Sequence, residues 1–331
     1  MTDGTSQGLF VVIAIVIFGI FVGLAYTVFG DVLQPKMVNL FETALNIDID
    51  AGGSEGAPID PAPETPVDPE HIVVFEDANL EKLVKERLGL STAEPVKVNK
   101  MQSMTILRAD DTFIKSLSGL EYATNLNYLK ITVDESTDLT PLSKLTKLTT
   151  IDTYGSKLTD YKPLEGLKQL ESLRIGSTLD ESKITDINFL KNLTNLTSID
   201  LFNNKINNIE PLKNLTNLKS LNLSQNEILD ITSLTNLTKL TELYLSTNSI
   251  ENLEPLTKLI NLTKLNLSTN SIANLEPLTN LTNLTNLNLF RNNITNVEAL
   301  SKLINLKELD ISYNKQLTDI TPVKFVPKLT K

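Results

Sequence analysis

Side chains suited to covalent or metal chemistry are few in this 331-residue chain, and none stands at a working spacing. The single histidine is His71, and there is no cysteine. Disulfide frameworks, zinc-thiolate sites, iron–sulfur clusters, cysteine nucleophiles and His-rich metal sites are thereby excluded. Two carboxylate pairs, Asp110 with Asp111 and Asp134 with Glu135, carry the right groups for calcium or for paired acid-base work. Neither has the ordered D-x-[DN]-x-[DN]-G ligand spacing, so they read as loop solvation. No G-x-x-x-x-G-K-[ST], G-x-S-x-G or H-E-x-x-H run occurs. His71 reads as a solvated boundary residue. The expectation is a protein that is not an enzyme and takes no cofactor and no metal.

What remains is recognition chemistry, and it lies in a repeat. Units open at Met101, Ala123, Leu145, Leu167, Leu193, Leu215, Leu237, Leu259, Leu281 and Leu303, and Val326 opens an unfinished one. Successive starts are 22 residues apart, except for 26 after Leu167 and 23 after Leu303. Such a period means a solenoid. In the unit at Leu259, the spacing of Leu265 and Leu267 is that of a strand with both side chains on one face. The later spacings of three, with Pro141, Pro163, Pro211, Pro255 and Pro277 at the nineteenth position, suit a tight 3₁₀ path on the other side. At the twelfth position stand Asn204, Asn226, Asn248, Asn270, Asn292 and Asn314, whose amides can bridge backbone groups of neighbouring coils. Thr112, Asp134, Ser156 and Thr178 hold that place in the early units, and the extra residues near Leu179 to Ser182 are expected to protrude.

Alternation puts the sixth, eighth and tenth positions on an exposed concave sheet, with the eleventh and thirteenth at its rim. Those columns contain Tyr128, Lys130, Asp152, Tyr154, Arg174, Asp200, Phe202, Tyr244, Phe290, Arg291, Asp310 and Tyr313. Six of the eleven aromatic residues from Phe113 onward are among these twelve. Aromatic and arginine side chains on a rigid surface are the usual anchors of an interface, so the twelve are the candidate ligand-binding residues.

Other elements precede the repeats. Residues 9–29 are apolar all round apart from glycines, Tyr26 and Thr27, and no charge lies between Gly4 and Gly30. At about 1.5 Å per residue the run reaches about 31 Å, the thickness of a bilayer core. Asp3 and no Lys or Arg precede it, which favours an uncleaved anchor within residues 1–30 over a signal peptide. Residues 31–50 place Met37, Leu40, Phe41, Ala44 and Leu45 at helical spacing. Such a segment either lies on the lipid as an amphipathic helix or extends the membrane helix. Residues 51–71 form an acidic linker, and five prolines between Ala51 and Glu70 make it a stiff spacer. The first 70 residues hold ten acids and one base, most of the formal net charge of -10. The body is near neutral and lacks the footprint of a nucleic-acid binder.

The pattern L-x-x-L-x-x-L-x-L-x-x-N-x-I-x-x-L-x-P-L resembles the leucine-rich repeats of internalin-like bacterial surface proteins. Residues 72–90, IVVFEDANLEKLVKERLGL, look like the helical cap that opens such arrays, with Leu80, Leu83, Val84 and Leu88 as an apolar stripe. Residues 113–131 are similar to the family's first regular coils. The resemblance implies an α/β solenoid: a curved array of about ten coils over residues 101–325, a parallel concave sheet, a 3₁₀ and loop convex side, and a helical cap over 72–100. Residues 326–331 form an unfinished repeat. It also implies binding of a protein or glycan ligand through the concave face, adhesin fashion, with the repeats outside the cell. A tethered cytoplasmic scaffold is the alternative, since Lys36 follows the apolar run. No immunoglobulin-like module follows the repeats in this sequence. The last coil is therefore expected to fray, to be covered by the final residues, or to pair with another molecule.

Overall fold

The computed structural model describes residues 67–331 except 154, 157 and 177–183, and only the backbone at 110 and 111. The apolar run 9–29 lies outside the described residues, among which no helix is long and apolar enough to cross a membrane.

The cap opens on helix α1, Ala78–Leu88, which buries Leu80 and Val84 and leaves Leu83 and Leu88 packed at the core's margin. Gly89 ends it in the left-handed region, φ 68°, which a side chain rarely adopts. A short helix α2, Val98–Gln102, carries the cap across residue 100 into the first coil. The chain just before α1 is tied to α2. Pro69 and His71 carbonyls accept the Asn99 and Val98 N–H groups, 3.0 Å each, and Glu70 pairs with Lys97 at 2.6 Å. His71 lies 5.9 Å, centroid to centroid, from the Tyr122 ring. Residues 69–71 are thus bonded to the start of α2.

Among the described residues, eleven parallel strands follow in chain order: β1 Ile106–Ile114, β2 Tyr128–Val133, β3 Thr150–Asp152, β4 Ser172–Arg174, β5 Ser198–Asp200, β6 Ser220–Asn222, β7 Glu242–Tyr244, β8 Lys264–Asn266, β9 Asn286–Asn288, β10 Glu308–Asp310 and β11 Lys328–Thr330. The eleventh is one more than the coil count from the sequence, because residues 328–330 pair in register with β10. The first two strands are long, and β1 shifts register between Arg108 and Phe113. Strands β3 to β10 keep only the sixth to eighth positions, and in the shortened last coil the third to fifth positions, counted from Val326, take their place beside β10. The central residue of each, such as Leu221 or Leu243, points into a continuous core of leucine and isoleucine. Short 3₁₀ turns close the coils, for example Glu210–Leu212, Glu254–Leu256 and Glu276–Leu278, each with proline in its first turn. Proline suits that place because its fixed φ and missing N–H cost nothing there. A side chain two residues ahead caps each turn: Asn208, Asp230 and Asn252 accept the N–H of Glu210, Thr232 and Glu254 at 2.8–2.9 Å.

Three polar ladders run along the stack. In the inner one, Asn226 donates to the carbonyls of Leu223 in its own coil and Leu201 in the coil before, 3.0 Å each, and accepts the Ile206 N–H at 3.0 Å. Asn204, Asn248, Asn270, Asn292 and Asn314 repeat the arrangement. Ser156, at the same place in an early coil, accepts the Val133 N–H at 3.0 Å but has no amide to donate in two directions. An outer ladder uses the third position, where Asn195, Asn217 and Asn261 donate to carbonyls of the preceding coil at 2.8–2.9 Å. The fifth position adds Thr197, Thr241 and Thr263, whose hydroxyls do the same at 3.0–3.1 Å. The repeated T-N-L-T run is thus a stacking device.

Leaving the strand, the chain passes through the left-handed region at the eleventh position: Asn203, Gln225, Thr247, Thr269, Arg291 and Tyr313 have φ between 51 and 59°. Gly155 meets the same turn in an early coil. Beside it, the Tyr161 hydroxyl lies 3.1 Å from Thr153 Oγ1 in the core, where burial pushes the phenol up to about 12 and keeps it neutral.

Candidate functional site

Each strand of the concave face offers two outward side chains, and strand register decides which of them meet. The eighth column stacks Lys130, Asp152, Arg174, Asp200, Asn222 and Tyr244 as direct partners across β2 to β7. Arg174 bridges its two acidic neighbours: Nη1 is 3.6 Å from Asp152 and Nε is 3.2 Å from Asp200. Asn222 donates to the other oxygen of Asp200 at 2.9 Å, so both oxygens of that carboxylate are occupied. Farther along, pairing moves to the sixth column. Lys264 lies 2.9 Å from Glu242 and Lys328 lies 2.7 Å from Glu308, which also accepts from Asn286 at 2.8 Å. The Lys264 ammonium holds the Glu242 carboxyl below its usual range.

The exposed ion pairs contribute little stability, each about 1 kcal/mol or less. Their effect is to hold the face in one arrangement. Tyr244 sits between the two ionic groups, half-buried, and its hydroxyl donates to Glu242 at 3.1 Å. Burial first, and then that carboxylate, raise its phenol above the ordinary value. Tyr128 lies under the Arg108 guanidinium, 5.7 Å from its ring centroid. Shallow depressions flank Tyr244 on both sides, one of about 360 Å³ toward Lys264, Glu308 and Lys328, the other of about 310 Å³ toward Arg174 and Asp200.

The twelve residues picked from the sequence divide into groups. Tyr128, Lys130, Asp152, Arg174, Asp200, Tyr244 and Asp310 lie on strands in the two concave columns. Tyr154 falls outside the described residues. Phe202 and Phe290 occupy the tenth position, two residues past the ends of β5 and β9, and both are half-buried. Arg291 and Tyr313 are exposed on the rim, where the Tyr313 ring stands 4.9 Å from that of Phe290. Missing from the sequence list were Glu242, Lys264, Asn286, Glu308 and Lys328. A signal was available, since opposite charges recur one period apart, as in Asp152 with Arg174 and Glu242 with Lys264.

Among the described residues, no cluster of three or more His, Cys, Asp or Glu is placed to hold a metal. Comparison with known proteins accounts for the architecture. The family described as leucine-rich repeats in two copies matches residues 194–236, 216–258, 238–280 and 282–324. The crystal structure of internalin C2 from Listeria monocytogenes is 30% identical, covering 71% of this chain and 93% of its own, with TM-score 0.53. This chain belongs to the internalin-like leucine-rich repeat family. A second internalin from the same organism, InlF, is 26% identical over 77% of this chain and 94% of its own, with TM-score 0.54. The functional domain of InlJ from that bacterium, which includes a cysteine ladder, shares the fold at 21% identity and TM-score 0.55, over 76% of this chain and 63% of its own. Internalin-like repeats are typically non-enzymatic binding modules, and their fold suggests protein–protein recognition.

Proposed function

We propose that this internalin-like chain is a recognition protein, anchored in the cell membrane through residues 9–29 and held off it by the acidic Pro-rich segment, whose concave sheet binds a protein ligand outside the cell. Tyr244 carries the binding reading. Its ring is presented in the middle of the eighth column, and the Glu242 bond fixes its hydroxyl before any partner arrives. An anchor already ordered loses little freedom on binding, which is how a small number of aromatic residues dominate an interface. Around it, Asp152, Arg174 and Asp200 form a paired array that accepts only a partner offering matching polar groups, since stripping water from it is costly. Display rests on the long uncharged run and the linker that follows it.

Protease added to intact, wall-stripped cells tests the display. It should cut in the Pro-rich segment and release a folded fragment of about 260 residues, because packed solenoids resist cleavage. Protection until the membrane is opened would reverse the orientation and favour a cytoplasmic scaffold.

A photocrosslinking residue at position 244 of the displayed protein should then capture a discrete partner, and one at the exposed Ile304, outside the concave columns, should not. For that partner, Tyr244→Ala should cost about 1 to 3 kcal/mol of affinity while changing stability by under about 1 kcal/mol. Adducts from position 304 alone would place binding off the concave face, and capture of a glycan in place of a protein would change the ligand class.

A further inference from the structure

The rim near the end of the array differs from the concave face beside it. On the sheet, Arg174, Lys264 and Lys328 are each paired with a carboxylate. On the rim, among the described residues, no carboxylate lies within ion-pair distance of Arg291 or Lys315. Both cations line one depression of about 410 Å³, together with Tyr313, Asn293, Gln316 and Ser271.

The backbone aims these side chains. Arg291 and Tyr313 occupy the left-handed eleventh position at φ 51 and 59°, and the Arg291 N–H is fixed on the Ser312 carbonyl at 2.9 Å. Glycine is the least strained residue there, as Gly155 shows. In neighbouring coils the position holds the short or uncharged Asn203, Gln225, Thr247 and Thr269. Only at this end does the column carry a cation and an aromatic ring, and the ring is 70% exposed. Phe290 supports it from the concave side at 4.9 Å.

We propose that this depression is a second binding site, independent of the concave one, that takes an acidic peptide segment of a protein partner. The unpaired guanidinium and ammonium meet its carboxylates, the open Tyr313 face takes the methylene stems between them, and the amides of Asn293 and Gln316 meet its backbone groups. Charge complementarity selects an acidic ligand, and the amides beside the cations suit a peptide's alternating N–H and C=O groups.

The test uses a fluorescein-labelled hexaglutamate peptide and the full chain in detergent, read by anisotropy. Arg291→Gln with Lys315→Gln removes both charges while keeping the turn, because Gln225 already adopts it. Binding to the unaltered chain should weaken about tenfold or more in the double variant and with rising salt. Tyr313→Asn, matching Asn203, should weaken it with unchanged melting. Arg174→Gln, on the paired face, should leave it intact. The proposal is overturned if the peptide fails to bind the unaltered chain, if it binds the double variant equally well, or if a sialylated oligosaccharide occupies the site and the peptide does not displace it.

Discussion

Replacing Asn226 by leucine should destabilise the repeats by about 2 to 4 kcal/mol, although the new side chain is larger and more apolar. The substitution strands the Ile206 N–H, which loses its acceptor, and takes one of two amide donors from each of the Leu201 and Leu223 carbonyls, which keep Asn204 and Asn248. A buried polar group without a partner costs about 1 to 3 kcal/mol, and some relaxation of the turn offsets part of the total. Because each coil touches only its neighbours, the loss is local. Urea unfolding should lose its single transition as the array divides near this coil. Asn195→Leu provides the control, since its exposed amide donates one bond, to the Lys168 carbonyl at 2.9 Å. Water replaces that bond, and the expected cost is under about 1 kcal/mol. A loss at Asn226 no larger than at Asn195 would mean that apolar stacking alone holds the coils together.

The inner ladder was legible in the sequence because an amide recurring every 22 residues beside leucines has no competing explanation. The outer ones were not. Asn195 and Thr197 belong to a T-N-L-T run whose bonds reach backbone groups a full coil away, and spacing along the chain does not show which carbonyl will be adjacent. Alternation is a property of extended chain, and it ends where the chain turns left-handed at the eleventh position; the types found there, from Asn203 to Arg291, give no composition signal for that turn. On the concave face, the list drawn from sequence favoured aromatics and so included Arg174 with its partners, while passing over Glu242 and Lys264. In a stacked parallel sheet, residues one period apart are cross-strand neighbours, so charge alternation at that spacing is as direct a reading as leucine periodicity.

Asp77→Ala should release the cap, at a cost of about 2 to 4 kcal/mol. The Asp77 side chain joins two elements. One oxygen accepts the Asn79 and Leu80 N–H groups at 2.8 and 3.0 Å, closing the first turn of α1, and the other accepts the Lys115 N–H at 2.7 Å, just past β1. An N-cap is worth about 1 kcal/mol and a bond to a charged group about 1.5 to 3 kcal/mol. Burial works against the charged form, but the Lys115, Leu80 and Asn79 N–H groups outweigh it and hold the carboxyl below its ordinary 3.8. The folded pKa is therefore depressed, so the contribution is complete above 3.8 and fades as pH falls through the folded value. Melting of the unaltered chain and of Asp77→Ala should accordingly converge in strong acid. Asp77→Asn separates the two roles: it keeps one oxygen for the helix but turns an amide donor toward the Lys115 N–H or the α1 turn, so it should recover part of the loss at most. Hydrogen exchange locates the effect. With the cap loosened, the amides of α1 that cover Leu80 and Val84 should exchange faster while those of β7 to β9 stay protected, because coils so far apart share no contact. Uniform loss of protection along the array would show instead that the cap and coils unfold as one cooperative unit, with Asp77 acting on all of them.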